Sequence, residues 1–315
     1  MSAAALPLPM PRDGILRRLS DFFLRHHRLL LLVLLAPPML WIGVVYIGSL
    51  AALLAQSFFS IDEFTGLIDR RFTLKTYGEL LQGANIDIIV RSVLMAASVT
   101  LTAAIIAFPI AYFAARYARG RIKALFYIAV TLPLWSSYLV RVYSWKLILA
   151  REGILNWFVE RTGLTPVLDL VLSIPVVGGP SLSISYLGTY LVFVYLWLPY
   201  MILPVQAALE RVPRSLIEAS GDLGANPRQT FRTVILPLAL PGVVAGSIFT
   251  FSLTLGDYIT PTIVGTSSLF LGQAVYTHQG TAGNIPLAAA FTVVPIVIMG
   301  IYLWLAKRMG AFDAL

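Results

Sequence analysis

The amino-acid sequence predicts an all-α integral membrane protein, a bundle of six transmembrane helices. Three observations predict it. Charged residues make up only 12% of the 315-residue chain, about half the share usual in soluble domains, roughly 25%. Hydrophobic residues make up 58% and fall in long blocks. A helix needs about 20 residues to cross the hydrocarbon core, and blocks of that length recur along the whole chain. The alternation of a membrane β-barrel is absent, which leaves helices as the structures that can satisfy their own backbone in lipid.

Taken in order, residues 1–28 hold Arg12, Arg17, Arg18, Arg25 and Arg28 ahead of the first apolar block. They resemble the basic end of a signal peptide. The block that follows, 29–57, outlasts a signal core of about 7–15 residues, so it reads as a retained first span behind a cytoplasmic N-terminal arm, 1–28. Further spans are predicted at 88–115, 122–142, 186–209, 239–260 and 286–306, giving one transmembrane domain over 29–315. Pro109 and Pro133 should kink their helices, which membrane helices tolerate. The segment 163–179 is apolar but short and carries Pro166, Asp169 and Pro175. We therefore read 143–185 as external, with short interfacial helices. The loops 58–87 and 261–285 also fall outside.

The charges set the topology. The net charge is +8, but the basic residues cluster at the ends of apolar blocks, which points to membrane orientation and not to nucleic acid. With the N-terminus inside, 15 of the 23 Lys and Arg fall on inside segments. Among them are Arg116, Arg119, Arg121 and Lys123, then Arg211, Arg214, Arg228 and Arg232. Both termini are therefore expected in the cytoplasm. The chain has no cysteine, and His26, His27 and His278 are too scattered for a metal cluster. The sequence has no phosphate-cradling loop, nucleophile elbow, zinc-protease or kinase motif. Neither catalysis nor a cofactor is expected of this chain.

One polar stretch interrupts the apolar pattern, "RSLIEASGDLGANPRQTFRTVILPLALPG", 214–242. Ser215 and Glu218 have capping-box spacing. Glu218, Ala219 and Ser220 begin a surface of small residues. Gly221 and Gly224 follow, and Asn226-Pro227 marks a turn and a second helix start. Phe231, Val234 and Ile235 give that helix an apolar side, and Pro237 and Pro241 should break it at the next span. Two short helices with small side chains and a glycine turn let another protein approach their backbone closely. A polar rim would fix its orientation. The same residues also make an ordinary solvated loop.

The spacing of Glu218, Ala219, Ser220, Gly224, Val234, Leu236 and Pro237 resembles the cytoplasmic signature of the membrane permease subunits of bacterial ATP-binding-cassette (ABC) importers. Ser220 and Val234 are mild departures from an alanine and an isoleucine. The resemblance covers most of the chain, including "LGDYITPTIVG" at 255–265. It implies a bundle of the type I ABC importer permease kind in the bacterial inner membrane, with 210–238 as a coupling loop seated in a cytoplasmic ATPase subunit dimer. It also implies a second permease subunit and an extracytoplasmic substrate-binding protein. The chain length, the N-terminal arm and "SSYLVRVYSWKLIL" resemble the spermidine/putrescine branch, which pairs two different permeases. Related branches carry ferric iron, thiamine, sulfate, molybdate, phosphonates or opines.

Asp257 is the main candidate for the translocation path, because charge at membrane depth is costly and often functional. A carboxylate there would attract a cation, and Tyr258 would offer a ring face. The competing reading makes Asp257 an interfacial residue at a turn. Arg91 reads as snorkelling at the start of the second span. Trp135, Tyr138, Tyr143 and Trp145 read as an interfacial belt or else a pore lining, Tyr195, Trp197 and Tyr200 as packing before ligand contacts, and His278 as solvated. External acidic and basic residues mix as a docking face or any wet loop would. A self-sufficient secondary transporter would show paired intramembrane charges or repeated half-helices, and neither is evident. Nor is the constellation of a membrane enzyme.

Overall fold

The structure, a computed structural model, describes Gly14 and residues 26–62 and 64–308. The predicted N-terminal arm thus lies outside the described residues save Gly14 and its last three positions, and so does Glu63. The chain divides into two units, 1–55 and 56–315. The first holds α1, Arg28–Gln56. Two prolines, Pro37 and Pro38, are followed by a π-helical stretch at Trp41–Ile47. No residue of its spanning window is buried.

The second unit opens with a small hairpin. Strand β1 (Ser60–Ile61) pairs antiparallel with β2 (Ile68–Asp69). The helices follow: α2 (Lys75–Leu80), α3 (Gly83–Arg116), α4 (Gly120–Trp135), α5 (Tyr138–Ile148), α6 (Ile154–Arg161), α7 (Thr165–Leu172) and α8 (Tyr186–Arg211). Next come α9 (Arg214–Asp222), α10 (Pro227–Gly256), α11 (Ile259–Ile263), α12 (Leu271–Gly280) and α13 (Ile285–Arg308). Among the described residues, five helices are long and apolar enough to cross a membrane: α1, α3, α8, α10 and α13. The count is six if α4 and α5 form one broken span.

That pair accounts for the predicted span at 122–142. It bends by 94° at the break. Pro133 has no N–H to give the helix, and Ser136 and Ser137 turn extended, with ψ of 152° and 135°. By contrast Pro109 lies inside an unbroken 34-residue helix. The apolar stretch 163–179 holds only the eight-residue α7, about 12 Å long and far short of a crossing.

The core is built where α3, α8 and α10 meet. Lipid tails are as apolar as leucine, so membrane helices gain little by hiding apolar surface from it; close packing of backbones must hold them instead. The sequence supplies small residues for this. Ala96, Ala103, Ala107, Ala111 and Ala114 form a fully buried stripe along α3. On α10, a Cβ added at Gly242 would stand 2.4 Å from Ala208 Cβ and 2.6 Å from the Pro204 carbonyl oxygen. One added at Gly246 would meet Met201 Sδ at 2.8 Å. Larger side chains fill the rest: Val99, Val192, Leu196, Met201, Val205 and Leu209 are buried.

Three readings are corrected here. Arg91 lies two turns inside α3, which begins at Gly83. It does not snorkel: it pairs with Asp87 and donates to the Leu269 carbonyl at 3.1 Å. Tyr138 and Trp145 belong to no surface belt. Tyr138 stacks on Trp197 at 5.9 Å, Trp145 packs on Tyr195 at 5.1 Å, and both lie against the core. His278 is not solvated; its ring stacks on Phe291 at 5.6 Å and 13°. The reading of Trp197 as packing holds, for it is 7% exposed.

Gly242→Val should destabilise the bundle by about 1–3 kcal/mol, seen as a lower thermal midpoint in detergent. Gly300→Ala, where an added Cβ meets nothing within 4 Å, should leave that midpoint unchanged or slightly raised. Burial holds the His278 imidazole below its ordinary pKa of 6.5. It is then neutral in the fold while the unfolded chain takes up a proton below that value, so stability falls as pH drops through 6.5 toward the folded-state pKa. Midpoints measured from pH 7.5 down to 5.5 should fall, and His278→Gln should remove that part of the slope.

Candidate functional site

The polar stretch forms the short helix α9 and the first turns of α10, joined by a tight turn at one end of the bundle. Helix α9 ends in a Schellman motif. The Gly224 N–H donates to the Gly221 carbonyl at 2.8 Å and the Ala225 N–H to the Ser220 carbonyl at 3.0 Å. Gly224 has φ +82°, a left-handed conformation that glycine adopts freely. Asn226 then caps α10: its side chain accepts from Gln229 N at 2.9 Å, and the Gln229 side chain accepts from Asn226 N at 2.9 Å. The Asn226-Pro227 signal was therefore read correctly.

The predicted Ser215–Glu218 capping box is not formed. Pro213 is extended (ψ 138°) and α9 starts at Arg214, which puts Ser215 inside the first turn, past the cap. Pro237 and Pro241 do not break α10 either. The chain relaxes into a π-helical stretch at Phe231–Ile235, and the N–H of Leu236 reaches back to the Phe231 carbonyl. Pro237 falls in the first turn of the α-helical part that follows, where a missing N–H costs little.

The loop is tied to the bundle at several points. Ser220 and Thr230 hydroxyls stand 3.0 Å apart and link α9 to the first turn of α10. Phe231 meets Phe108 of α3 edge-on at 5.5 Å, Ile217 packs on the core, and Arg116 donates to the Val212 carbonyl at 3.1 Å. At the root, Glu210 accepts from Lys123 at 3.0 Å, Tyr127 at 3.0 Å and Gln206 at 3.0 Å, joining α8 to the broken pair α4–α5. Sequence reasoning missed Glu210, whose partners lie up to 87 positions away. The outward side is open: Glu218, Ala219, Gly224 and Pro237 are exposed, Ser220 and Val234 half-buried. Leu236 is exposed too, and Leu223 stands 89% exposed on the turn. Beside the loop, a mainly apolar groove of about 510 Å³ runs between Pro204, Ala208, Pro213, Leu216 and Pro241.

At the opposite end, Asp257 follows α10. Its Oδ1 accepts from Ile259 N at 2.8 Å and Thr260 N at 3.3 Å. Its Oδ2 accepts from the Thr260 hydroxyl at 2.8 Å and from the Tyr138 hydroxyl. Both carboxylate oxygens thus hold the start of α11 and fasten α5 to it. Tyr258 turns away and stacks on Tyr276 at 5.0 Å and 12°, bordering a cleft of about 340 Å³ with Gly256, Gln279 and Thr292. The two residues are neighbours in sequence yet face different surroundings. Tyr138 was invisible as a partner of Asp257 because 119 residues separate them.

Known proteins agree with this architecture. The family profile described as "Binding-protein-dependent transport system inner membrane component" matches residues 107–311. The "Inner membrane ABC transporter permease protein YdcU" of Escherichia coli (strain K12) is 55% identical over 98% of this chain and 98% of its own. The "Spermidine/putrescine transport system permease protein PotB" of Salmonella typhimurium (strain SL1344) is 30% identical over 82% of this chain and 86% of its own. A chain of the "bacterial ABC transporter involved in the import of the acidic polysaccharide alginate" shares the fold, with TM-score 0.69 at 16% identity over 92% of this chain and 99% of that one. With a bundle of apolar helices, a polar helical loop at one end and these relatives, the chain belongs to the binding-protein-dependent transport system inner membrane components, and is an integral inner-membrane permease of an ABC transporter.

Proposed function

We propose that this permease forms half of the translocation path of an ATP-driven importer and that segment 210–238 is its coupling loop. A cytoplasmic ATPase dimer would supply the energy. The observation that carries the proposal is the helix–glycine–helix turn, with exposed Glu218, Ala219, Gly224 and Leu223 on its outward side and Phe231, Ile217 and Glu210 rooted in the bundle. Such a piece can receive a push and pass it to α8, α10 and α3 together. The excess of Lys and Arg at this end supports a cytoplasmic position for the loop and for both termini.

The remaining assignments follow. A second, different permease would complete the path and an extracytoplasmic binding protein would deliver the solute. The solute is a polyamine, spermidine or putrescine; the PotB relatives support this at 29–30% identity. Asp257 would place a fixed negative charge near the path, and Tyr258, on the neighbouring cleft beside Tyr276, would offer a ring face to a cation. The rival reading keeps the importer and changes the solute to another small ion or cofactor precursor.

The test is reconstitution of the purified importer in liposomes. ATP-dependent uptake of radiolabelled spermidine or putrescine is expected; active transport by this chain alone down an ion gradient would overturn the importer reading. Gly224→Leu isolates the loop. The left-handed conformation costs a non-glycine residue about 1–2 kcal/mol, while an added Cβ meets nothing within 4 Å. The variant should therefore insert and fold, yet lose roughly ten-fold or more of its transport. Normal assembly and uptake by Gly224→Leu would refute the coupling assignment.

A further inference from the structure

The hairpin that opens the second unit carries an apolar surface that the rest of that unit leaves open. Phe64 at its tip is 98% exposed, Leu67 70%, Phe72 79% and Leu74 68%. The tip is held outward by construction. Asp62 Oδ1 accepts from Phe64 N at 2.9 Å and Thr65 N at 2.8 Å, and the Asp62 carbonyl accepts from Gly66 N at 2.9 Å. Gly66 closes the turn at φ +68°. Phe72 is fixed from behind by Phe59 at 5.6 Å. A fixed turn that points a phenylalanine outward leaves it nothing within its own unit to pack on.

The root of the hairpin shows what lies beside it. Leu80 and Tyr77 of α2 pack with Leu287 and Phe291 of α13 and with Ile88 of α3. Both spanning helices begin at this level, at Gly83 and Ile285. The hairpin therefore stands at the plane where hydrocarbon gives way to headgroups. An extended arm of four residues reaches about 13 Å, enough to bring the tip over lipid beside the bundle. Arg70 and Arg71 sit between the apolar positions. The Arg71–Asp69 contact, at 3.9 Å with the arginine side chain 90% exposed, is a loose surface pair and leaves the guanidinium able to reach a phosphate. Aromatic and aliphatic side chains with long basic ones beside them suit the acyl–headgroup boundary. A soluble partner's docking face would be more polar, close to the rest of the surface in composition.

We propose that hairpin 60–74 is a lipid anchor. Phe64, Leu67 and Phe72 enter the boundary region of the leaflet where α3 and α13 begin, and Arg70 and Arg71 contact lipid phosphates. The anchor steadies this end of the bundle sideways. It does not depend on the identity of the solute.

The absence of cysteine from the chain makes the test direct. Phe64→Cys, Phe72→Cys and, as a control, Leu223→Cys are each labelled with a nitrobenzoxadiazole fluorophore in the full-length protein. The vesicles contain phosphatidylethanolamine, phosphatidylglycerol and a lipid nitroxide near the acyl carbonyl, with iodide available on both sides. Labels at 64 and 72 should lose roughly two-fold or more of their emission to the nitroxide and be shielded from iodide, as residues at the acyl–headgroup boundary are. The label at 223 should behave in the opposite way. With Leu67→Cys labelled, adding Phe64→Ser and Phe72→Ser should abolish the shielding, which rules out the fluorophore dragging the tip into lipid. Iodide quenching without nitroxide quenching at 64 and 72 would overturn the anchor. Shielding that arises only when a second permease or a binding protein is added would overturn it too, in favour of a protein contact.

Discussion

Everything else in the structure depends on how closely α8 and α10 approach. In lipid, the helices gain little from hiding apolar surface and must be held by dispersion over a short backbone separation. Gly242 and Gly246 provide that separation against Pro204, Ala208 and Met201, and the alanine stripe of α3 completes the triangle. Because α8 leads into the loop that holds α9 and α10 leads out of it, this crossing also sets the distance between the two roots of that loop. The packing that gives stability also fixes where the loop is mounted.

The loop is held firmly at its base and left bare at its tip. Glu210 gathers Lys123, Tyr127 and Gln206, so a displacement of the loop reaches the broken pair α4–α5 as well as the two helices it joins. At the far end, the Asp257 carboxylate ties α10, α11 and α5 together through Tyr138 and Thr260. The helices leaving the loop thus end in a second fixed knot. Between the two knots lies a length of small-residue packing in which Gly242 and Gly246 stand against Pro204, Ala208 and Met201.

Much of this was legible in the sequence. Long apolar blocks located five of the candidate spans within a few residues, except that α3 begins at Gly83 and α10 at Pro227, because polar first turns dilute the apolar signal; the block at 122–142 instead falls on the bent pair α4–α5. Gly224 and Asn226-Pro227 announced their turn and cap, since both carry their backbone preference locally. Ser215 failed for the opposite reason: capping spacing occurs by chance, and the neighbouring Pro213 decided where the helix begins. The contacts that build the two knots join residues far apart in the chain, and no local pattern records them. Tyr138 looked like any interfacial tyrosine until Asp257 was seen beside it.

The π-helical stretch at Phe231–Ile235 has a bearing on how this segment is compared with its relatives. It accommodates one more residue than a uniform α-turn, so every position after it is rotated by about 100° from where a helical wheel begun at Pro227 would draw it. Gly242 and Gly246, which stand against Pro204, Ala208 and Met201, both come after that rotation. An alignment that closes a one-residue gap within 231–235 would thus preserve the composition of the helix and assign its interior to the wrong side.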